Sequence, residues 1–300
     1  MTLPASGAIS FNNINVELGV SGTTQASLGQ ASYRALAGVA SGQISMSNFY
    51  GKANQFAFTI SSNTTDANLR TLALAAGWNG TSQVVATIGS GVYVYSTSTA
   101  TPALTINGSF PGGVQLINNG NIYGRGGNGG NGGGYGGNYY GASTGATGGN
   151  AVTASVAVTI TNSGIISGGG GGGGGGGYAQ YNDGKFISAL GGGGGGGGRV
   201  NAGGGGGGGG GGVQPRPGTA GTSASLTTNG TGGAGGTTAG YYGGTGGAGG
   251  NNAASGSSGN SGVANHSQSG GAGGGAGGSA VSGNSNITWV ATGTRYGAIA

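Results

Sequence analysis

Residues 168–177 are ten consecutive glycines, and no other feature of the chain limits its fold so strongly. Ordering a residue's backbone costs about 1–2 kcal/mol, with glycine at the upper end, so fixing this run costs roughly 10–20 kcal/mol with no side chain to bury. Alone, such a run is a flexible linker. It has company, however: residues 191–198 and 203–212 are also uninterrupted glycine, and looser tracts occupy 124–137, 232–236, 243–250 and 270–278. Collagen is excluded, because the glycines run together and the chain has five prolines.

Several tracts together change the balance. In polyproline II geometry the chain has three residues per turn and no internal hydrogen bonds, so every N–H and C=O points outward to a neighbour. Glycine lets such helices approach to backbone contact, joined by N–H···O=C bonds of about 0.5–1.5 kcal/mol each. An interior helix requires bare glycine. Tracts with a side chain at every third place, such as Arg125, Asn128 and Asn131, belong at the rim. The fold class expected is therefore mostly β or irregular, with small N-terminal α+β modules followed by a polyglycine II sandwich.

Three domains are expected: 1–52, 53–123 and 124–300. In the first, Ser6-Gly-Ala-Ile-Ser10 echoes Ser41-Gly-Gln-Ile-Ser45, which reads as two short strands bracketing a helix over 30–36 that ends at Gly38. In the second, Phe56, Phe58 and Ile60 alternate as a strand, a helix is expected over 65–76, and strands follow at 84–88, 92–95, 104–106 and 114–117. A nine-residue unit recurs as LINNGNIYG at 116–124, ITNSGIISG at 160–168 and, more loosely, WVATGTRYG at 289–297. The first two copies run directly into glycine tracts.

If each tract crosses the layer once, the long connections 138–150, 178–190, 213–231 and 251–269 fall at one end, and 199–202 and 237–242 at the other. A rigid slab with long loops at one end has the plan of a binding tip. Those loops hold Tyr139, Tyr140, Tyr178, Tyr181, Lys185, Phe186, Gln214, Arg216 and His266. Tyrosine among small polar residues supplies rigid contact area with a polar handle. Tyr241 and Tyr242 fall at the short-loop end and read as packing.

Other chemistries find little support. The chain lacks cysteine, has one histidine, and carries only Glu17, Asp66 and Asp183 as acids, in three different modules. No metal site, cofactor or paired-carboxylate catalyst is expected, so the chain reads as a non-enzyme. Its eight basic residues are scattered singly, which argues against nucleic acid. The N-terminus has no basic segment followed by an apolar core, so a protein made in the cytoplasm without a signal peptide or membrane insertion is expected.

The segments SGAISFNNINVELG (6–19) and ASLGQASYRALAGVASGQISMSNFYGK (26–52) resemble an N-terminal segment of tail and other virion proteins of tailed bacteriophages. The glycine-tract half is similar in kind to the distal tail-fibre adhesins of T-even-like phages. This resemblance implies a virion protein present in multiple copies. It would attach to other tail or fibre proteins through 1–52 and bind a bacterial surface glycan or outer-membrane protein through the long loops. Residues 1–123 do not match that family's own attachment domain. A structural or decoration protein of tail or capsid, and an ice-binding protein, remain the alternatives.

Overall fold

The computed structural model describes residues 3–212 and 214–300. The N-terminal module packs Leu3, Ile14, Tyr33, Leu36 and Phe49 into a small core of its own. Helices α1 (Phe11–Glu17) and α2 (Ala31–Ala37) frame it, and Gly38 ends α2 at φ 74° as the sequence predicts. The S-G-x-I-S echo differs from expectation, because it marks two capping boxes and no strands. Ser10 and Asn13 cap α1, while Ser45 and Asn48 cap a single 3-10 turn at Met46–Phe49.

From residue 55 the chain winds as a three-sided parallel β-solenoid. Strands β1 (Gln55–Ile60), β2 (Thr64–Thr65) and β3 (Ala67–Asn68) make the first rung. Strands β4 (Gln83–Ile88), β5 (Tyr93–Tyr95) and β6 (Leu104–Ile106) make the second. The third comprises β7 (Val114–Asn118), β8 (Asn121–Tyr123) and, after an excursion holding the hairpin β9 (Gly134–Tyr135) and β10 (Tyr139–Tyr140), β11 (Val152–Ala154). The fourth runs through β12 (Val158–Asn162) and β13 (Ile165–Ser167), leaves on a second excursion, and returns as β19 (Val281–Ser282). That excursion contains β14 (Ala179–Asn182), β15 (Ile187–Leu190), β16 (Gly211–Gly212), β17 (Thr237–Thr238) and β18 (Tyr241–Tyr242). The last rung is β20 (Ile287–Ala291), β21 (Thr294–Tyr296) and a bridge from Val281 to Ile299.

Rungs stack in register, so inward side chains form columns: Phe58, Ala86, Leu116, Ile160 and Trp289 on one wall, Val94, Ile122, Ile166 and Arg295 on the next. The nine-residue repeat is two walls of one rung plus its corner. Sheets run from β1 through to β20 and from β2 through to β21, so strand pairing crosses residue 123. The expected compact α+β unit at 53–123 is instead part of this solenoid, because period-2 strands alone do not reveal whether neighbours pair in parallel. Helix α3 is Leu69–Ala75, shorter than expected. Asn68 caps it, and the preceding residues are spent on β2 and β3. Its Leu69 and Ala73 enter the solenoid core.

Corner asparagines fix the stacking. Buried Asn118 donates through Nδ2 to Asn162 Oδ1 at 2.7 Å, and Asn162 donates to the Thr292 carbonyl at 2.8 Å. Asn162→Ala is expected to lower stability by about 1–3 kcal/mol, since it leaves buried polar partners unmet. Urea unfolding checks this, and a loss near zero contradicts it.

Both excursions are made of extended segments joined mainly by backbone hydrogen bonds. The bonds group them into three layers. One holds 143–149, 126–133 and 203–209; the middle holds 272–278, 169–177, 191–198 and 218–222; the third holds 254–260, 244–250 and 230–236. Three successive residues show the pattern. The N–H groups of Gly173, Gly174 and Gly175 donate to Gly196, Ser257 and Ser143, while their carbonyls accept from Gly130, Gly247 and Ala272, all at 2.8–3.1 Å. One turn of chain therefore binds six different segments. Segments 169–177 and 191–198 have neighbours on all six sides and are buried throughout.

Bare glycine does not always mean interior. Segment 203–212 lies at a rim, with neighbours on three sides, and Gly206 is exposed. Its spare amides are met by side chains of the adjoining segment: Gly203 donates to Asn128 Oδ1 and Gly206 to Asn131 Oδ1. The long connections expected at 138–150, 213–231 and 251–269 also differ. Each contains a further crossing segment (143–149, 218–222 or 254–260), because serine, threonine and alanine suit an outer segment as well as glycine suits an inner one.

Candidate functional site

Alternation of the crossing segments sends two kinds of connection to opposite ends. At the solenoid end lie the turns 199–202, 225–229 and 251–253. At the remote end lie 134–142, 178–190, 211–212 with 214–217, 237–242 and 261–268. Short β-pairings gather these remote connections. β14 pairs with β15 and β15 with β16, while isolated bridges join Ala179 to Gln268, Leu190 to Arg216 and Tyr242 to Val263.

The remote end is aromatic. The Tyr139 ring lies 4.9 Å from that of Tyr135 and 5.1 Å from that of Tyr178. Burial, with Tyr135 and Tyr178 adding to it, raises the Tyr139 hydroxyl pKa above its ordinary value. Tyr181 stacks on Tyr241 at 5.4 Å. Tyr140 is 43% exposed but already engaged, its hydroxyl accepting from the Gly209 amide at 2.9 Å. Phe186 at 51% is the most exposed ring here, with Ile187, Tyr242 and Val263 also open.

Every residue singled out from the sequence, Tyr139 and Tyr140 through Gln214, Arg216 and His266, lies in these remote connections. Tyr241 and Tyr242 join them, contrary to the expectation that they sit at the opposite end. The segment count between 213 and 243 is one higher than tract boundaries indicated, so the hairpin β17–β18 falls on the remote side. A signal was present, since Tyr139-Tyr140-Gly141 and Tyr241-Tyr242-Gly243 share a pattern. Ile187 and Val263 carried no such mark.

Lys185 and Phe186 are held by the turn that contains them. The Asp183 carboxylate accepts from the amides of Lys185 at 2.9 Å and Phe186 at 2.8 Å, and these bonds hold its pKa below the usual carboxylate range. The charged form is thus favoured in the folded turn, so the turn is fully stabilised above the ordinary carboxylate pKa. That stabilisation is lost as pH falls through the lowered folded value. Amide chemical shifts of Lys185 and Phe186 are expected to stay constant through neutral pH and move only in strong acid. Movement at mildly acidic pH contradicts this.

A cavity lies elsewhere. About 470 Å³ opens between the N-terminal module and the solenoid, beside Asn15, Tyr33, Asn54, Gln55 and Asn79. Among the described residues no cluster of acids and histidine has the makings of a metal site, and no helix is long and apolar enough to cross a membrane. The arrangement at the remote end offers chemistry for contact: aromatic faces, amides and the exposed cations Lys185 and Arg216.

Comparison with curated proteins gives no match. Among solved structures, the fold resembles the gp37-gp38 adhesin tip complex of the long tail fibre of bacteriophage S16. The TM-score is 0.52 at 24% identity, over 99% of this chain and 100% of that one. Residues 55–189 match the family described as Phage tail fibre adhesin Gp38, a span that takes in the first three solenoid rungs, β12 and β13 of the fourth, the first excursion, segment 169–177 and all but the last residue of the hairpin beyond it. The match starts well inside the region that had seemed to depart from that family. Over residues 55–189 the chain is therefore similar to the Phage tail fibre adhesin Gp38 family.

Proposed function

We propose that this chain stands at the tip of a phage tail fibre and binds a bacterial surface receptor, a glycan or an outer-membrane protein, through its remote connections, without catalysis. The observation that carries the reading is the asymmetry of the two ends. One is tied to the solenoid, while the other gathers five connections around exposed Tyr139, Phe186 and Tyr242. Tyr139, Tyr140, Tyr178, Tyr181, Lys185, Phe186, Gln214, Arg216 and His266 are the proposed contact residues. We add Tyr241 and Tyr242. Several copies on one virion would multiply weak contacts into avidity.

In this reading residues 1–52 attach the chain to other tail-fibre proteins, the solenoid carries the load, and the glycine segments extend the tip. The similar S16 structure is a complex of gp37 with gp38, in keeping with a fibre partner. We read the segments as polyglycine II helices packed in a sandwich. The three-residue period of their outward hydrogen bonds supports this.

Replacing 178–190 by a short glycine turn tests the function. Virions should assemble normally and lose host adsorption. Normal adsorption by intact virions of that variant sinks the adhesin reading and favours a structural spacer.

A further inference from the structure

Six of the crossing segments, from 191–198 to 254–260, have no direct chain link to the solenoid. Their turns at its end, 199–202, 225–229 and 251–253, are held by contacts. One side chain reaches across all of them. The Arg199 guanidinium lies 5.1 Å over the ring of Tyr123, a buried residue of β8. Its Nε donates to the Leu226 carbonyl at 2.9 Å and its Nη1 to Asn251 Oδ1 at 3.1 Å. A planar guanidinium can stack and donate sideways at once, which a lysine ammonium cannot. Burial raises the Tyr123 hydroxyl pKa and the nearby guanidinium opposes that rise, in keeping with their direct contact.

We propose that Arg199 is a positioning residue that sets the direction in which the glycine layers leave the solenoid. It holds one turn covalently and two by hydrogen bonds, against an aromatic ring of the solenoid wall. Segments linked to the solenoid by the chain lie to one side (126–133, 143–149, 169–177 and 272–278) and bond to the others along their length, so this clamp adds a direct brace between the unlinked side and the solenoid wall and narrows the angle between the two. The consequence for receptor binding rests on the adhesin reading; the clamp itself does not. Rigid alignment would let several copies on one fibre present their remote ends in parallel.

The chain has no cysteine, so two can be introduced for spin labels without interference. Exposed Thr59 on the solenoid and Ser258 in the outer layer are suitable sites, as Thr59→Cys and Ser258→Cys. Distance distributions between them are measured in the full chain with Arg199, with Arg199→Lys and with Arg199→Met. A narrow distribution is expected with Arg199, a clearly broader one with methionine, and an intermediate one with lysine. Hydrogen exchange should accelerate about tenfold or more at 225–229 and 251–253 in the methionine variant, with 169–177 unchanged. An unchanged distance width overturns the proposal, as does a uniform acceleration that includes 169–177. Failure of the adhesin reading would appear instead as normal adsorption by the 178–190 replacement, whatever these distances show.

Discussion

Gly173→Ala is expected to prevent the glycine layers from forming, while Gly273→Ala leaves stability within about 0.5 kcal/mol of the parent. A Cβ on Gly173 would stand 2.1 Å from the Gly247 carbonyl oxygen and 2.6 Å from its carbon, both backbone atoms. A Cβ on Gly273 would meet nothing within 4 Å. Overpacking costs about 1–3 kcal/mol where neighbours can shift. Around 173 they cannot, because each adjoining segment is hydrogen-bonded to others, so a cost above ~3 kcal/mol is expected. Urea unfolding, with hydrogen exchange along 191–198, measures both variants. Equal losses would show that position in the layers does not govern tolerance.

The second large effect is expected at the remote end. Phe186→Ala should weaken binding to receptor-bearing cells about thirtyfold or more, as for a central anchor worth roughly 2 kcal/mol, with unfolding unchanged. The ring is half exposed, so its removal leaves little cavity. The Asp183 turn fixes the backbone beneath it before any encounter, which reduces the ordering cost of binding. Tyr140→Phe is the useful companion, because it removes only the hydroxyl bonded to Gly209 and should alter local order more than affinity. If Phe186→Ala binds normally while replacement of 178–190 abolishes adsorption, the anchor lies among the other residues of that hairpin.

The interior role of 168–177 was legible in the sequence because steric demand leaves a direct mark: a segment with six neighbours tolerates no side chain. Outer segments leave a weaker mark. Residues 142–149, ASTGATGG, share the serine and threonine content of loops, and only their pairing with 126–133, 169–177 and 272–278 distinguishes them. The solenoid was hidden for a different reason. Its repeat was visible at 116–124, 160–168 and 289–297, but excursions of very different length separate the copies, so no constant period announces the stacking. Tyr178 and Tyr181 were legible because they follow directly on a tract. Tyr241 was misplaced because a single miscounted crossing reverses the end to which every later connection is sent.

The three-residue rotation of the hydrogen bonds sets a rule for length variation in the gene. Adding one or two codons inside a crossing segment turns every later N–H away from its acceptor by one or two thirds of a turn. Adding three restores direction but displaces the register by about 9 Å. Neither error can be absorbed within 169–177, where all neighbours are fixed. At the remote connections a change of length outside their short β-pairings displaces no acceptor of the crossing segments. Insertions and deletions of any number of codons should therefore accumulate there, so this architecture confines drift in length to the surface proposed to meet the host.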